Sequence, residues 1–127
     1  MLNKEKLKES RKQLERILDY LRQSLVFVEG KKDKKALAVF GINDVLTVSG
    51  NLRLSCSSAA RRNVQNVVIL TDRDERGDEL AKEAVGELAE YGIKSDVETR
   101  RNIGRILDMK NIENMENKYR KFKELEK

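Results

Sequence analysis

Val67-Val68-Ile69-Leu70-Thr71-Asp72-Arg73-Asp74, closed by Gly77, is the stretch from which the fold of this chain is read. Its unbroken apolar run is too short for a helix and predicts a strand buried on both faces. The run ends on two carboxylates and a glycine-containing turn. A second stretch of the same design lies upstream: Leu25-Val26-Phe27-Val28-Glu29-Gly30, with Asp33 shortly beyond the glutamate. In open α/β sheets, ligands bind at the C-terminal ends of the strands. Carboxylates gathered at that edge, in a chain rich in lysine and arginine, point to Mg²⁺ and phosphate chemistry.

Outward from these two runs, the pattern alternates. Leu2 to Gln23 reads as an amphipathic helix with Leu7, Leu14, Ile17, Leu18 and Leu21 on one stripe. Its default role is packing; pairing with another subunit or touching phosphates are the alternatives. A helix from Lys32 to Phe40 follows the first strand, with Ala36, Leu37 and Phe40 inward and Gly41 as its stop. Asp44 to Val48 is a weaker strand, and Gly50 to Asn63 reads as irregular or partly helical. After the strand Asn66–Thr71 comes a helix from Gly77 to Tyr91, ended by Gly92. Ile93 to Val97 is a fourth strand, Thr99 a cap for a short helix through Ile106, and Asn114 to Lys127 a charged terminal helix. Strands alternating with helices of this length imply a parallel sheet covered on both faces.

At 127 residues the chain is expected to be one domain: a helix over 1–23, an α/β core over 24–97 and a helical extension over 98–127. Its 27 Lys and Arg exceed 22 Asp and Glu, a net charge of +5 that suits an anionic partner but equally suits solvated faces. One cysteine and no histidine exclude an intrachain disulfide, Ser-His-Asp and Cys-His catalysis, and a Cys/His zinc site. Cys56, among serines, reads as a structural thiol. No apolar run is long enough to span a membrane and no signal-peptide pattern is present, so a cytoplasmic protein is expected. The remaining route to catalysis is carboxylate plus metal, helped by basic side chains.

Asp72 and Asp74 are two residues apart, so both can point to one side as the strand leaves the sheet. Glu29 ends the neighbouring strand in this reading and can face them across the cleft. Arg73 between the aspartates is placed to meet a phosphate or neutralise a carboxylate. An isolated Asp-x-Asp after a strand is often a turn and helix cap; two such clusters, each ending an apolar run, make that reading poor.

The two stretches Val26–Asp33 and Val68–Gly77 resemble the Toprim domain shared by topoisomerases, bacterial-type primases, overcoming-lysogenization-defect nucleases and ribosomal-RNA-maturing nucleases. The resemblance covers roughly Ser24 to Val97. It implies a Rossmann-like α/β fold, a central four-stranded parallel sheet flanked by helices, with an added N-terminal amphipathic helix. By the same resemblance Glu29 is the general acid or base, and Glu29, Asp72 and Asp74 are ligands of Mg²⁺, for which Mn²⁺ can substitute. Asp33 matches a second acidic position found in primases and maturation nucleases. Topoisomerases carry a third acid where this chain has Arg76, which weakens a two-metal arrangement; Asp78 is a candidate substitute. Tyr20, Tyr91 and Tyr119 read as packing residues.

Lys31 beside the first cluster, Arg73, and Arg100 and Arg101 after the fourth strand are the candidate phosphate contacts. With six aromatic residues, a base-stacking platform is not expected, so recognition of RNA or DNA would run through backbone and shape. Three functions follow. The first is a Mg²⁺-dependent phosphotransfer protein acting on nucleic acid, most simply a small nuclease. The second is a non-catalytic metal-binding module that binds nucleic acid or a protein partner, with a homodimer as one form. The third, a haloacid-dehalogenase-like phosphatase, shares the strand-then-Asp-x-Asp motif but leaves the Glu29 cluster unexplained.

Overall fold

The structure, a computed structural model, describes residues 3–125. Among these, four strands form one parallel sheet: β1 (Leu25–Val28), β2 (Val45–Thr47), β3 (Asn66–Ile69) and β4 (Lys94–Asp96). Their order is β2-β1-β3-β4, with Val26 opposite Val45 on one side and Val68 on the other. The chain therefore leaves β1 for one edge, then returns to the other side of β1. That reversal creates a crevice between the ends of β1 and β3, the usual place for a ligand in such sheets.

Alternation along the strands sends side chains to two cores. Val26, Val28, Val68 and Leu70 face one layer: α1 (Lys4–Arg22), α2 (Lys31–Ala38), α5 (Glu98–Leu107) and α6 (Met115–Glu124), joined by a 3-10 turn (Ile112–Asn114). Leu25, Phe27, Val67 and Ile69 face the other: α3 (Leu52–Arg61) and α4 (Glu75–Glu90). Both faces of β1 and β3 are dry, which explains why these strands carry unbroken apolar runs.

The N-terminal helix is a core element, burying Leu14, Ile17, Leu18 and Leu21. Leu2, where that helix was expected to begin, lies outside the described residues, as do the last two residues of the terminal helix. Gly50 to Asn63 is more ordered than the sequence suggests. Asn51 accepts a hydrogen bond from the Leu54 amide at 3.2 Å, and a full helix, α3, follows with Cys56 and Ala59 buried. Burial also pushes the Cys56 thiol up to about 11, as fits an inert structural cysteine.

The caps correct two boundaries. Helix α4 starts at Glu75 because Asp74 accepts from the Gly77 amide at 2.7 Å. Helix α5 starts at Glu98, capped by Asp96 and not Thr99: Asp96 accepts from the amides of Glu98 and Thr99, from Thr99 Oγ1 at 2.6 Å and from Tyr20 Oη at 2.8 Å. Of the tyrosines, Tyr119 packs edge-on against Phe40, Tyr20 ties α1 to the end of β4, and Tyr91 is exposed, not packed. No described helix is long and apolar enough to cross a membrane.

Candidate metal centre

Three carboxylates meet where β1 and β3 end. Glu29 follows the last residue of β1, Asp33 sits in the first turn of α2, and Asp72 lies in the loop after β3. One oxygen from each lies within 4.8 Å of the others. Each is held by a backbone amide. Asp33 reaches back to accept from Gly30 at 3.0 Å, Glu29 accepts from the Asp72 amide at 3.3 Å, and Asp72 Oδ1 accepts from Ile112 at 2.9 Å.

Like charges this close disfavour ionisation of their neighbours. Burial, then the hydrogen bond and charge of Asp72, push the Glu29 carboxyl from its ordinary 4.5 up to about 7, with Asp74 adding repulsion. The Asp33 carboxyl is also raised, first by burial and then by the charges of Asp72 and Glu113, against the pull of the Gly30 amide. A cluster of hard oxygen donors of this kind suits a divalent cation. The residues fit Mg²⁺ or Mn²⁺.

The loop after β3 is built to hold Asp72. A Cβ on Gly77 would fall 1.7 Å from the Asp72 carbonyl oxygen, so only glycine lets α4 lie this close. The buried Thr71 hydroxyl donates to the Gly77 carbonyl at 2.7 Å, and the Arg73 amide to the Lys110 carbonyl at 2.8 Å.

The expected site residues thus divide. Glu29, Asp33 and Asp72 come together, and Asp74 lies outside that group, with one oxygen on the cap of α4 and its charge felt at Glu29. Asp78 is ion-paired with Arg100. The Arg100 side chain is 14% exposed and lies on the backbone carbonyls of Thr71 and Asp72. Arg101 is exposed and pairs with Glu98, Lys31 is exposed at the start of α2, and Arg73 is exposed beside Gly104 of α5. Arg76 is exposed near Glu79.

Sequence reasoning missed the segment that closes the site. Asp108 ends α5 in the left-handed region at φ 52°, turning the chain so that the Lys110 carbonyl meets the Arg73 amide, the Ile112 amide meets Asp72 and the charge of Glu113 is felt at Asp33. An aspartate tolerates that conformation better than most residues. No local signal links Ile112 to Asp72, which lies 40 residues earlier.

Comparison with known proteins agrees with this fold. Residues 24–106 match the family model described as the Toprim domain. A UPF0292 protein of Thermococcus sibiricus is 32% identical over 121 residues, covering 92% of this chain and 96% of its own. A UPF0292 protein of Pyrococcus abyssi is 36% identical over 115 residues, 87% of each chain. A solved structure of a protein from Aquifex aeolicus superposes with a TM-score of 0.68 at 28% identity, covering 80% of this chain and 96% of that one.

Proposed function

The chain belongs to the Toprim family, with the metal-binding and nucleic-acid-related function that membership carries, and from that premise we propose that it is a Mg²⁺-dependent phosphodiesterase acting on RNA or DNA. The observation that carries the proposal is the convergence of Glu29, Asp33 and Asp72 at the crevice between β1 and β3. Three carboxylates, just past β1, in the first turn of α2 and in the loop after β3, would hold the cation, Mg²⁺ or Mn²⁺, and Asp74 would lend its charge from the cap of α4. A cation held there would supply polarisation of the phosphate and orientation of the attacking water. Glu29, half-buried beside Asp72, would take the proton of that water or return one to the leaving oxygen. Lys31, Arg73 and Arg101 are exposed and meet backbone phosphates.

A cleavage panel over single- and double-stranded RNA and DNA, with Mg²⁺ and Mn²⁺, tests this reading. Asp72→Ala is the control. Wild type should cleave at least one form and Asp72→Ala none; a variant as active as wild type in clean preparations sinks the proposal.

A second reading, a metal-binding module that binds without turnover, rests on Arg76, which is exposed where topoisomerases carry a third acid. Salt-sensitive binding with no cleavage across the whole panel selects it.

A further inference from the structure

Arg100 stands on the first turn of α5, just past the end of β4, and reaches across to the loop after β3. Its Nε donates to the Thr71 carbonyl at 2.8 Å, and its Nη2 donates to the Asp72 carbonyl and to Asp78 Oδ1. The two carbonyls belong to the peptide units immediately before and after the Asp72 Cα. A planar guanidinium that grips both fixes both flanking peptide planes, and with them the direction in which the Asp72 side chain leaves the backbone.

The partner carboxylate contributes little to this. Asp78 is 67% exposed, and an ion pair so wet is weak. The carbonyl bonds are the substance of the contact: they engage Nε and Nη2 and hold the guanidinium against the loop after β3.

We propose that Arg100 is the positioning residue of the metal centre: it holds Asp72 on the cation by clamping the Thr71 and Asp72 carbonyls and does not serve as a phosphate ligand. This rests on Asp72 being a metal ligand, as proposed above. Three roles for Arg100 predict different responses. A positioning residue, when lost, weakens metal binding, by the about 10–100-fold typical of groups that orient a ligand. A bystander cation repels the metal, so its loss tightens binding. A phosphate ligand leaves metal affinity alone and weakens nucleic-acid binding only.

The experiment is calorimetric titration of Mn²⁺ into metal-free wild type, Arg100→Lys, Arg100→Gln, Asp78→Asn and Asp72→Asn. It is run at low temperature on proteins whose circular dichroism matches wild type. Arg100→Lys keeps the charge but cannot span both carbonyls, and Arg100→Gln keeps one donor without the charge. Both should bind Mn²⁺ about 10-fold or more weakly, while Asp78→Asn stays within about twofold of wild type. Equal affinity in wild type and Arg100→Lys, or tighter binding in Arg100→Gln, overturns the positioning role while leaving the metal site intact. Wild type binding no better than Asp72→Asn overturns the metal reading and this one with it.

Discussion

Replacing Glu29 with Gln should make the metal-free protein more stable at pH 8 and less responsive to Mg²⁺. The substitution keeps an oxygen to accept from the Asp72 amide and removes one of three charges whose oxygens lie within 4.8 Å. At that separation a like-charge pair costs about 1 kcal/mol in water and about 3.5 kcal/mol at an effective dielectric of 20, and Glu29 belongs to two of the three pairs. The proton linkage gives a second measure. Glu29 moves from 4.5 to about 7 in the folded state, which at 1.36 kcal/mol per pH unit bounds the effect near ~3 kcal/mol. Partial exposure and salt reduce that to about 1–2 kcal/mol, or about 3–8 °C in Tm for a chain of this size. The sign follows from the raised value: below its ordinary pKa the group is protonated folded and unfolded, and its stability is fully present. As pH rises through about 7 that stability is lost. The advantage of Glu29→Gln should therefore be largest at pH 8 and vanish toward pH 4.5. Thermal melts in chelator across this range, repeated with Mg²⁺, check both halves. Equal melting temperatures in chelator at pH 8 refute the crowding argument; an equal gain from Mg²⁺ removes Glu29 from the site.

Asp74→Ala should cost about 1 kcal/mol through the lost cap of α4, measured by urea unfolding, and should still bind Mn²⁺, whereas Asp72→Ala should not. Gly77→Ala should destabilise by about 2–3 kcal/mol and weaken Mn²⁺ binding as well, since its Cβ must displace the Asp72 carbonyl; calorimetry and denaturation separate the two effects. Asp96→Ala removes the acceptor for Tyr20, Thr99 and the α5 amides and should cost about 2–3 kcal/mol at neutral pH. Although burial opposes it, hydrogen bonds led by Thr99 hold the Asp96 carboxyl below its ordinary 3.8. Its contribution is thus present above that value and is lost as pH falls, so the gap between wild type and variant should close in acid.

Strands β1 and β3 were legible because burial on both faces leaves no room for polar residues in Val26–Val28 or Val67–Leu70. The order β2-β1-β3-β4 was not, since no local pattern says that β1 lies between its neighbours. Helix α3 was obscured by Ser55, Ser57 and Ser58, which favour turns in isolation; tertiary burial of Cys56 and Ala59 overrides that preference. The pairing of Asp72 with Asp74 assumed a chain still extended beyond the sheet. The strand stops at Ile69 and Asp74 is already the cap of α4, so the third carboxylate of the cluster is Asp33, supplied by the turn after Gly30.

Arg100 shows most directly where sequence reasoning stops. An arginine after a strand, at the start of a helix, carries the same letters whether it meets a phosphate or clamps its own backbone. What separates the two is where the guanidinium lies, and that of Arg100 is on two carbonyls with its side chain 14% exposed. That is a property of how α5 lies against the end of β3, which is set by Ile103 and Leu107 in the core and by the cap that Asp96 gives its first turn. If Arg100 positions Asp72 as proposed, the packing of α5 couples to the orientation of that carboxylate, and loosening the helix should weaken Mn²⁺ binding in the same calorimetric titration.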